Sequence, residues 1–178
     1  MITIGIDPGI TGGIAVLDGM KLWRAKRIPT SILAGKKIIN ANEVSTFCLT
    51  QNPDLFVIEK GIPMPGQSSV ATFSSGLNMG ILAAISQLMQ VPTLWVHPRT
   101  WKSFFRIGSN KRESLNFASQ SFGADDIFKW SIMANNGIAE AALLALWAVQ
   151  KGKGSFSKSE RSVRECTKKN WLSLADQR

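Results

Sequence analysis

The sequence predicts an α/β domain with one mixed five-stranded sheet flanked by helices. Three observations predict this class. Three short strand-like segments joined by tight turns open the chain, and helical and apolar strand segments alternate after them. The third observation is size: 178 residues with 44% hydrophobic residues suit one compact domain with a real core and exclude wholesale disorder.

The first three strands are expected to form an antiparallel meander over residues 2–6, 12–17 and 21–28. The first connection carries the turn signal Asp7-Pro8-Gly9, and Asp18-Gly19 is a typical two-residue hairpin turn. A helix capped by Asn40 or Asn42 then extends to about residue 50.

The later elements alternate. Residues 54–59 form a continuous apolar run closed by Glu59, which is typical of a strand buried on both faces. A Gly/Pro/Ser loop over 60–69 precedes a helix over 72–88, and 93–96 is the fifth strand. A helix begins after Asn110, and the last core helix, 138–149, is apolar almost all round, so it must be buried.

The composition changes near residue 150. We therefore divide the chain into a compact domain over 1–150 and a basic tail over 151–178, which contains eight Lys and Arg against three Asp and Glu. A short helix is expected near 163–174. The tail either adds nonspecific affinity for duplex DNA or is a disordered, solubilising end.

Net charge is the strongest compositional signal. The chain has 21 Lys and Arg against 12 Asp and Glu, a net charge of +9. This excess suggests a polyanionic partner, with nucleic acid the first candidate and anionic lipid the second. Two cysteines without CxxC spacing and one histidine exclude a Cys/His zinc site. The longest apolar runs are shorter than the ~20 residues of a membrane span, and no targeting signal opens the chain. We therefore expect a cytoplasm-like compartment and no membrane partner.

Three carboxylates lie at the ends of predicted elements. Asp7 ends the first strand, Glu59 ends the buried strand, and Glu140 lies in the first turn of the last helix. A carboxylate at the end of an apolar strand is costly unless it is solvated, paired or metal-bound. Adjacent strands would place Asp7 and Glu59 roughly 5–10 Å apart. Such a cluster suits Mg²⁺, and two such ions can promote phosphodiester cleavage.

Each acid also has a simpler interpretation. Asp7 can be a turn former, Glu59 can pair with Lys60 or Arg24, and Glu140 can complement the helix dipole. The joint occurrence of all three acids at element ends favours a catalytic role. Small residues around two of them would also leave room for a phosphate backbone.

Four segments then occur in one order: Ile4-Gly5-Ile6-Asp7-Pro8-Gly9, Val57-Ile58-Glu59, Pro98-Arg99-Thr100-Trp101-Lys102 and Gly137-Ile138-Ala139-Glu140-Ala141. In this order they resemble the RuvC-type Holliday junction resolvases, most closely the phage and chloroplast-type branch. The resemblance spans about residues 1–150. It implies an RNase H-like fold, a homodimer, Mg²⁺ dependence with Mn²⁺ as a substitute, no small-molecule cofactor, and paired nicks in four-way DNA junctions.

The resemblance also implies roles for single residues. Asp7, Glu59 and Glu140 correspond to the metal-binding catalytic acids, Lys102 to the lysine after the proline, and Lys111 to a second basic position facing the scissile phosphate. The implied activity is that of a crossover junction endodeoxyribonuclease of DNA recombination and repair. It would act in the cytoplasm of a bacterium or of a phage-infected cell.

One position departs from the family pattern. The family has a fourth metal-site group five residues before the helix glutamate, commonly Asp and sometimes His, and here that residue is Asn135. An amide keeps the shape and one acceptor oxygen but loses the charge. Asn135 is therefore assigned to the catalytic and metal-binding set in weakened form. Either the chain is a disabled variant, or it is a natural version with weakened or relocated metal binding.

A basic and aromatic segment follows the fifth strand. Basic side chains bind phosphates, whereas the interleaved Trp101, Phe104 and Phe105 are expected to pack in the core, and His97 is expected to be structural. The loop that follows Glu59 is a candidate for sensing bases or junction shape. The candidate DNA-binding residues are Arg99, Lys102, Lys111, Arg112, Gln67 and Ser68.

Two other functions compete with the nuclease. A noncatalytic junction-binding protein would share its surface without its chemistry. An actin-like ATPase or sugar kinase is faintly suggested by residues 7–13, which resemble a phosphate-binding hairpin. That fold needs a second phosphate loop and a longer chain. For the dimer surface, we choose the helix over 72–88.

Overall fold

The structure is a computed structural model that describes residues 1–63, 65–123, 130 and 132–152. Its strands are β1 (Ile2–Ile6), β2 (Gly13–Asp18), β3 (Lys21–Arg27), β4 (Thr30–Leu33), β5 (Lys36–Ile39), β6 (Leu55–Glu59) and β7 (Thr93–Val96). The main sheet has the order β3-β2-β1-β6-β7, with β1, β6 and β7 parallel and β2 antiparallel to both neighbours. β4 and β5 form a separate hairpin.

The helices are α1 (Ala41–Leu49), α2 (Ser69–Leu88), α3 (Pro98–Phe105), α4 (Lys111–Phe122) and α5 (Asn136–Gly152). A short 3₁₀ turn, Met133–Asn135, precedes α5. The first four helices begin after a side chain that accepts a hydrogen bond from a first-turn N–H, which satisfies one orphan backbone donor each. These caps are Asn40, Ser68, His97 and Asn110.

Both faces of the main sheet are covered. One face carries α3, α4 and α5 over a cluster that includes Leu17, Val57 and most of α5. The other face carries α1, α2 and β5 over a cluster that includes Ile4 and Phe56. α5 is apolar all round because it lies between the sheet and the helices α3 and α4.

Glycines bring α5 into backbone contact with the sheet. A Cβ on Gly137 would lie 2.5 Å from the Cα of Gly12, and a Cβ on Gly5 would overlap the carbonyl oxygen of Ala141. Gly12 and Gly137 also form an isolated parallel bridge. Any side chain at these positions would push the helix outward, so these glycines set the first turns of α5 directly over β1 and β2.

The predicted α/β class and the mixed five-stranded sheet agree with the structure, whereas two elements were not predicted. The β4–β5 hairpin turns at Ala34 and Gly35, both with positive φ, and alanine gives no sequence signal for such a turn. The second is α3, where the sequence predicts only a basic and aromatic segment. In addition, α2 begins at Ser69 and α5 at Asn136, earlier than expected. Residues 151 and 152 of the expected tail still belong to α5, whereas 153–178, with the helix expected near 163–174, lie outside the described residues.

α2 is the least covered helix. The sequence predicts no segment of membrane-spanning length, yet by length and composition alone α2 is apolar enough to cross a membrane. Only 22% of its most apolar stretch is buried. Val70 and Phe73 are each 63% exposed, and Lys36 of the hairpin lies over the Phe73 ring. With the exposed Ile32 and Leu33 these residues form what we call the α2–hairpin surface: Ile32, Leu33, Val70 and Phe73.

Candidate active site

Two of the predicted acids follow strands that end side by side. Ile6 of β1 pairs with Ile58 of β6, so Asp7 and Glu59 come directly after the last pair of this parallel ladder. Ile6 and Ile58 point into the cluster under α1 and α2. Because side chains alternate along a strand, Asp7 and Glu59 lie on the opposite face, which α5 covers.

The third acid, Glu140, comes from the first turns of α5 and is held by two other helices. Lys102 of α3 donates to its Oε1 at 2.8 Å, and the hydroxyl of Ser114 of α4 donates to the same oxygen at 3.2 Å. The side chains of Lys102 and Glu140 are only 20% and 12% exposed. In the part of the chain that the structure describes, Lys102 is the single Lys or Arg in an ion pair.

Glu59 is held by an aromatic side chain rather than by a cation. The indole Nε1 of Trp101 donates to Glu59 Oε2 at 2.8 Å, and Trp101 is fully buried. The ion pair with Lys60 or Arg24 that the simpler interpretation offered does not form. The ammonium of Lys102 lies 5.1 Å from the centroid of the Trp101 ring.

The three acids interact electrostatically. Burial raises the pKa of Asp7 to about 7, and the charges of Glu140 and Glu59 add to that rise against the opposing N–H of Gly9 and charge of Lys102. Burial also raises the pKa of Glu59; the hydrogen bond from Trp101 opposes this rise and the charge of Glu140 adds to it. Three carboxyl groups therefore share one cation, Lys102, which leaves negative charge in excess at this edge of the sheet.

The donor set suits a hard divalent cation in chemistry and charge, because carboxylates supply oxygen ligands and a cation would relieve their repulsion. Asn136, one helical turn before Glu140, supports this: its Oδ1 is buried and accepts no hydrogen bond from the described residues. The acids are nevertheless not assembled into a ligand set. Within the described ranges, no three His, Cys, Asp or Glu side chains are grouped so that they could hold a metal ion.

The remaining predicted site residues lie on other segments of the chain. Asn135 ends the 3₁₀ turn and is half-buried, next to the buried Asn136. Gln67 and Ser68 are exposed at the end of the loop after β6, and Ser68 Oγ accepts the N–H of Ala71 as the cap of α2.

The predicted cations other than Lys102 are exposed at helix starts. Arg99 lies three residues before Lys102 on α3, and Lys111 lies three residues before Ser114 on α4. Residues three apart lie on the same side of a helix, so these cations flank the two side chains that hold Glu140. Arg112, beside Lys111, is exposed as well.

Three residues at this site were missed by sequence reasoning: Trp101, Ser114 and Asn136. The sequence favours core packing for Trp101, and its position next to Lys102 is the signal that could indicate a role in the site. The expectation of core packing is confirmed for Trp101 and Phe105 but wrong for Phe104, which is 48% exposed. His97 is structural, as expected, because it caps α3.

No known family profile matches the sequence, and no curated protein matches it. Solved structures do. T. thermophilus RuvC in complex with a Holliday junction substrate superposes with a TM-score of 0.64 at 20% identity, over 86% of this chain and 96% of that one. A second structure, Thermus thermophilus RuvC, gives 0.62 at 19% identity over 85% and 97%. The yeast mitochondrial Holliday junction resolvase gives 0.46 at 14% identity over 94% and 83%. The two Thermus structures confirm the predicted RNase H-like α/β fold and show that this chain shares the fold of RuvC.

Proposed function

We propose that this protein is a structure-selective endonuclease that cuts four-way DNA junctions, as a member of the phage and chloroplast-type branch of RuvC-type resolvases. The observation that carries the proposal is the electrostatic coupling of Asp7, Glu59 and Glu140 beside Lys102. These acids come from three elements distant in the sequence. Isolated structural acids would have no reason to converge in this way. The fold shared with RuvC supports the proposal.

A divalent cation, Mg²⁺ or Mn²⁺, would be held by Asp7, Glu59 and Glu140 with Asn135, and it supplies an activated water and charge at the leaving oxygen when bound. The chain's own residues orient the phosphate and balance its charge. Lys102 is anchored beside the acids, and together with Lys111 it stabilises the negative charge that develops on the scissile phosphate.

The DNA-binding surface in this proposal is formed by Arg99, Lys111 and Arg112. They are exposed and none is neutralised by an acid of the described chain, so they are available for phosphate contacts. Gln67 and Ser68 extend the surface along the loop that starts beside Glu59.

A homodimer completes the proposal. Paired nicks need two active sites, and the described chain carries one such cluster of acids. In this proposal the second copy packs on the α2–hairpin surface, because several large apolar side chains are exposed there and exposed apolar patches are typical of protein–protein contacts. α2 is the helix that the sequence indicated for this role.

A nicking assay tests the activity. Four-way, three-way and linear DNA of matched sequence are incubated with the protein in Mg²⁺ or Mn²⁺, with the variant Asp7→Asn as control. We expect nicks in the four-way junction at least about tenfold faster than in linear DNA, since selection by shape requires such a ratio. Equal cutting of all three DNAs, or cutting that survives Asp7→Asn, would contradict the proposal.

A separate experiment tests Asn135, the amide at the position of the family's fourth metal-site group. Asn135→Asp adds a negative ligand and is expected to raise Mg²⁺-dependent nicking by orders of magnitude, on the order of 10² or more. Asn136→Asp is the matched control at the next residue. Unchanged nicking by Asn135→Asp would refute its role, and a gain confined to Asn136→Asp would place the ligand there instead.

The second candidate function is a noncatalytic junction-binding protein. It is favoured by one observation: the acids are not grouped as a ligand set, and Glu140 is already neutralised by Lys102. Such a protein would bind four-way junctions tightly yet stay inert in Mn²⁺ and after Asn135→Asp, which separates it from the nuclease in the same assay.

A further inference from the structure

Two consecutive residues of the short helix α3 each bond a different acid of the site. Trp101 donates to Glu59 Oε2 and Lys102 donates to Glu140 Oε1, each at 2.8 Å. Glu59 ends a strand and Glu140 begins a helix 81 positions later in the numbering. α3 is therefore the element that ties the two acids to each other.

The strand register explains how α3 reaches Glu59. Glu59 pairs with Val96 at the ends of β6 and β7. α3 begins two residues later at Pro98, with His97 as its cap. This short connection leaves α3 little freedom to move relative to β6, and Trp101 lies in its first full turn.

The bond from Trp101 does more than satisfy a buried donor. An indole N–H buried in a core needs an acceptor, and here the acceptor is a carboxylate, which makes the bond roughly twice as strong as one to a neutral group. It engages one oxygen of Glu59, while the other oxygen, Oε1, accepts no hydrogen bond from the described residues. The bond thus fixes the orientation of the carboxylate.

The ring of Trp101 makes a second contact with the same site. The Nζ of Lys102 lies 5.1 Å from the ring centroid, close enough for the attraction between a cation and an aromatic face. One fully buried side chain therefore contacts both the carboxylate of Glu59 and the cation that holds Glu140.

We propose that Trp101 is a positioning residue: its indole N–H orients the Glu59 carboxylate and its ring supports Lys102, which sets the two acids toward a divalent cation. The inference rests on the proposed function for the presence of that cation. Trp101 itself touches neither DNA nor the reacting atoms.

The test compares two tryptophans of the same core. Trp101→Phe removes the N–H and keeps an aromatic ring. Trp147→Phe is the matched control, because Trp147 is also buried in this cluster at 6% exposure and bonds no acid. We expect Trp101→Phe to weaken Mn²⁺ binding to the DNA-free protein about 10–100-fold by calorimetry, and Trp147→Phe to leave it within about twofold.

Kinetics and a spectroscopic probe complete the design. Nicking by Trp101→Phe should lose kcat about 10–100-fold with KM for the junction nearly unchanged, as expected for a residue that acts through the acids. In the wild-type chain, the ¹⁵N–¹H signal of the Trp101 indole should shift on adding Mg²⁺, and that of Trp147 should not. This measurement needs no variant to fold.

Equal losses of Mn²⁺ affinity in both variants, or a Trp101 signal that ignores Mg²⁺, would overturn the proposal, as would a wild-type chain that binds no Mn²⁺. A chain that binds Mn²⁺ through a Trp101-dependent site but does not nick junctions would support the positioning role and contradict only the proposed nuclease.

Discussion

The two faces of the main sheet are built differently. The face under α3, α4 and α5 is sealed: α5 is buried along nearly its whole length, and the hydrogen bonds of Glu59 and Glu140 are made there. The face under α1 and α2 has an apolar core of similar kind but leaves the α2–hairpin surface exposed. Among the described residues of this face, Cys48 has a large pKa shift: burial raises the pKa of its thiol to about 12, which favours the protonated form.

This difference separates two tasks. Where water is excluded, the pKa values of ionisable groups shift and their electrostatic interactions become stronger. The sealed face is therefore the one suited to catalysis. Exposed apolar side chains lower the free energy only when a second surface covers them, so the other face is suited to association. The following predictions break or sharpen this division, and they run from the largest expected effect to the smallest.

The largest effect is expected from removing one charge on the sealed face. Glu140→Gln keeps an acceptor for Lys102 and Ser114 but removes the negative charge, and we expect nicking to fall about 10³-fold with junction affinity retained. Glu43→Gln makes the same change on α1, where Glu43 is exposed. A loss of activity with Glu43→Gln as large as with Glu140→Gln would erase the contrast between the faces.

A charge on the exposed face should act on association instead. Phe73→Asp places a carboxylate in the α2–hairpin surface and should weaken the proposed homodimer at least about 10²-fold, measured as mass by light scattering across a dilution series. Leu49→Asp is the control, since Leu49 is 53% exposed on α1 outside that surface. An unchanged dimer in Phe73→Asp would show that another surface joins the copies.

The stability of the metal-free protein should depend on Asp7 with a definite sign. Its pKa rises from 3.8 to about 7 on folding, so the folded state keeps a proton that the unfolded state loses. The free energy of unfolding therefore falls as pH rises from about 4 to 7, by at most about 4 kcal/mol.

Asp7→Asn removes this dependence. At pH 8 the metal-free variant should melt several degrees higher than the wild type, up to about 10 °C, and at pH 3 the two should melt alike. Thermal melts in EDTA at both pH values measure this. A variant that is less stable at pH 8 would show that the carboxylate is not under electrostatic strain.

The smallest effects are expected from the helix caps. Asn40→Ala on α1 and His97→Ala on α3 each remove one cap bond and should cost about 1 kcal/mol, seen as a melting temperature lower by about 2–4 °C. Only His97→Ala should also slow nicking, because α3 carries Trp101 and Lys102. Equal nicking rates in the two variants would separate α3 from the chemistry.

Strong local signals explain how much of this could be predicted. Some features depend only on residues adjacent in the sequence: the apolar strands, the Asn caps and the acids at element ends. The sheet and the positions of Asp7, Glu59 and Glu140 could therefore be inferred from the sequence. Partners could not. The bonds from Trp101 and Ser114 join residues 42 and 26 positions from their acids, and the first of them depends on the register between β6 and β7.

The backbone contact between α5 and the sheet has a consequence for how the spacing of the acids is set. Where Gly137 meets Gly12 and Gly5 meets Ala141, no side chain stands between helix and strand that substitution could enlarge or trim. The spacing between the backbones at Asp7 and at Glu140 is thus set by these main-chain contacts, whereas the side chain of Glu140 is oriented by Lys102 and Ser114.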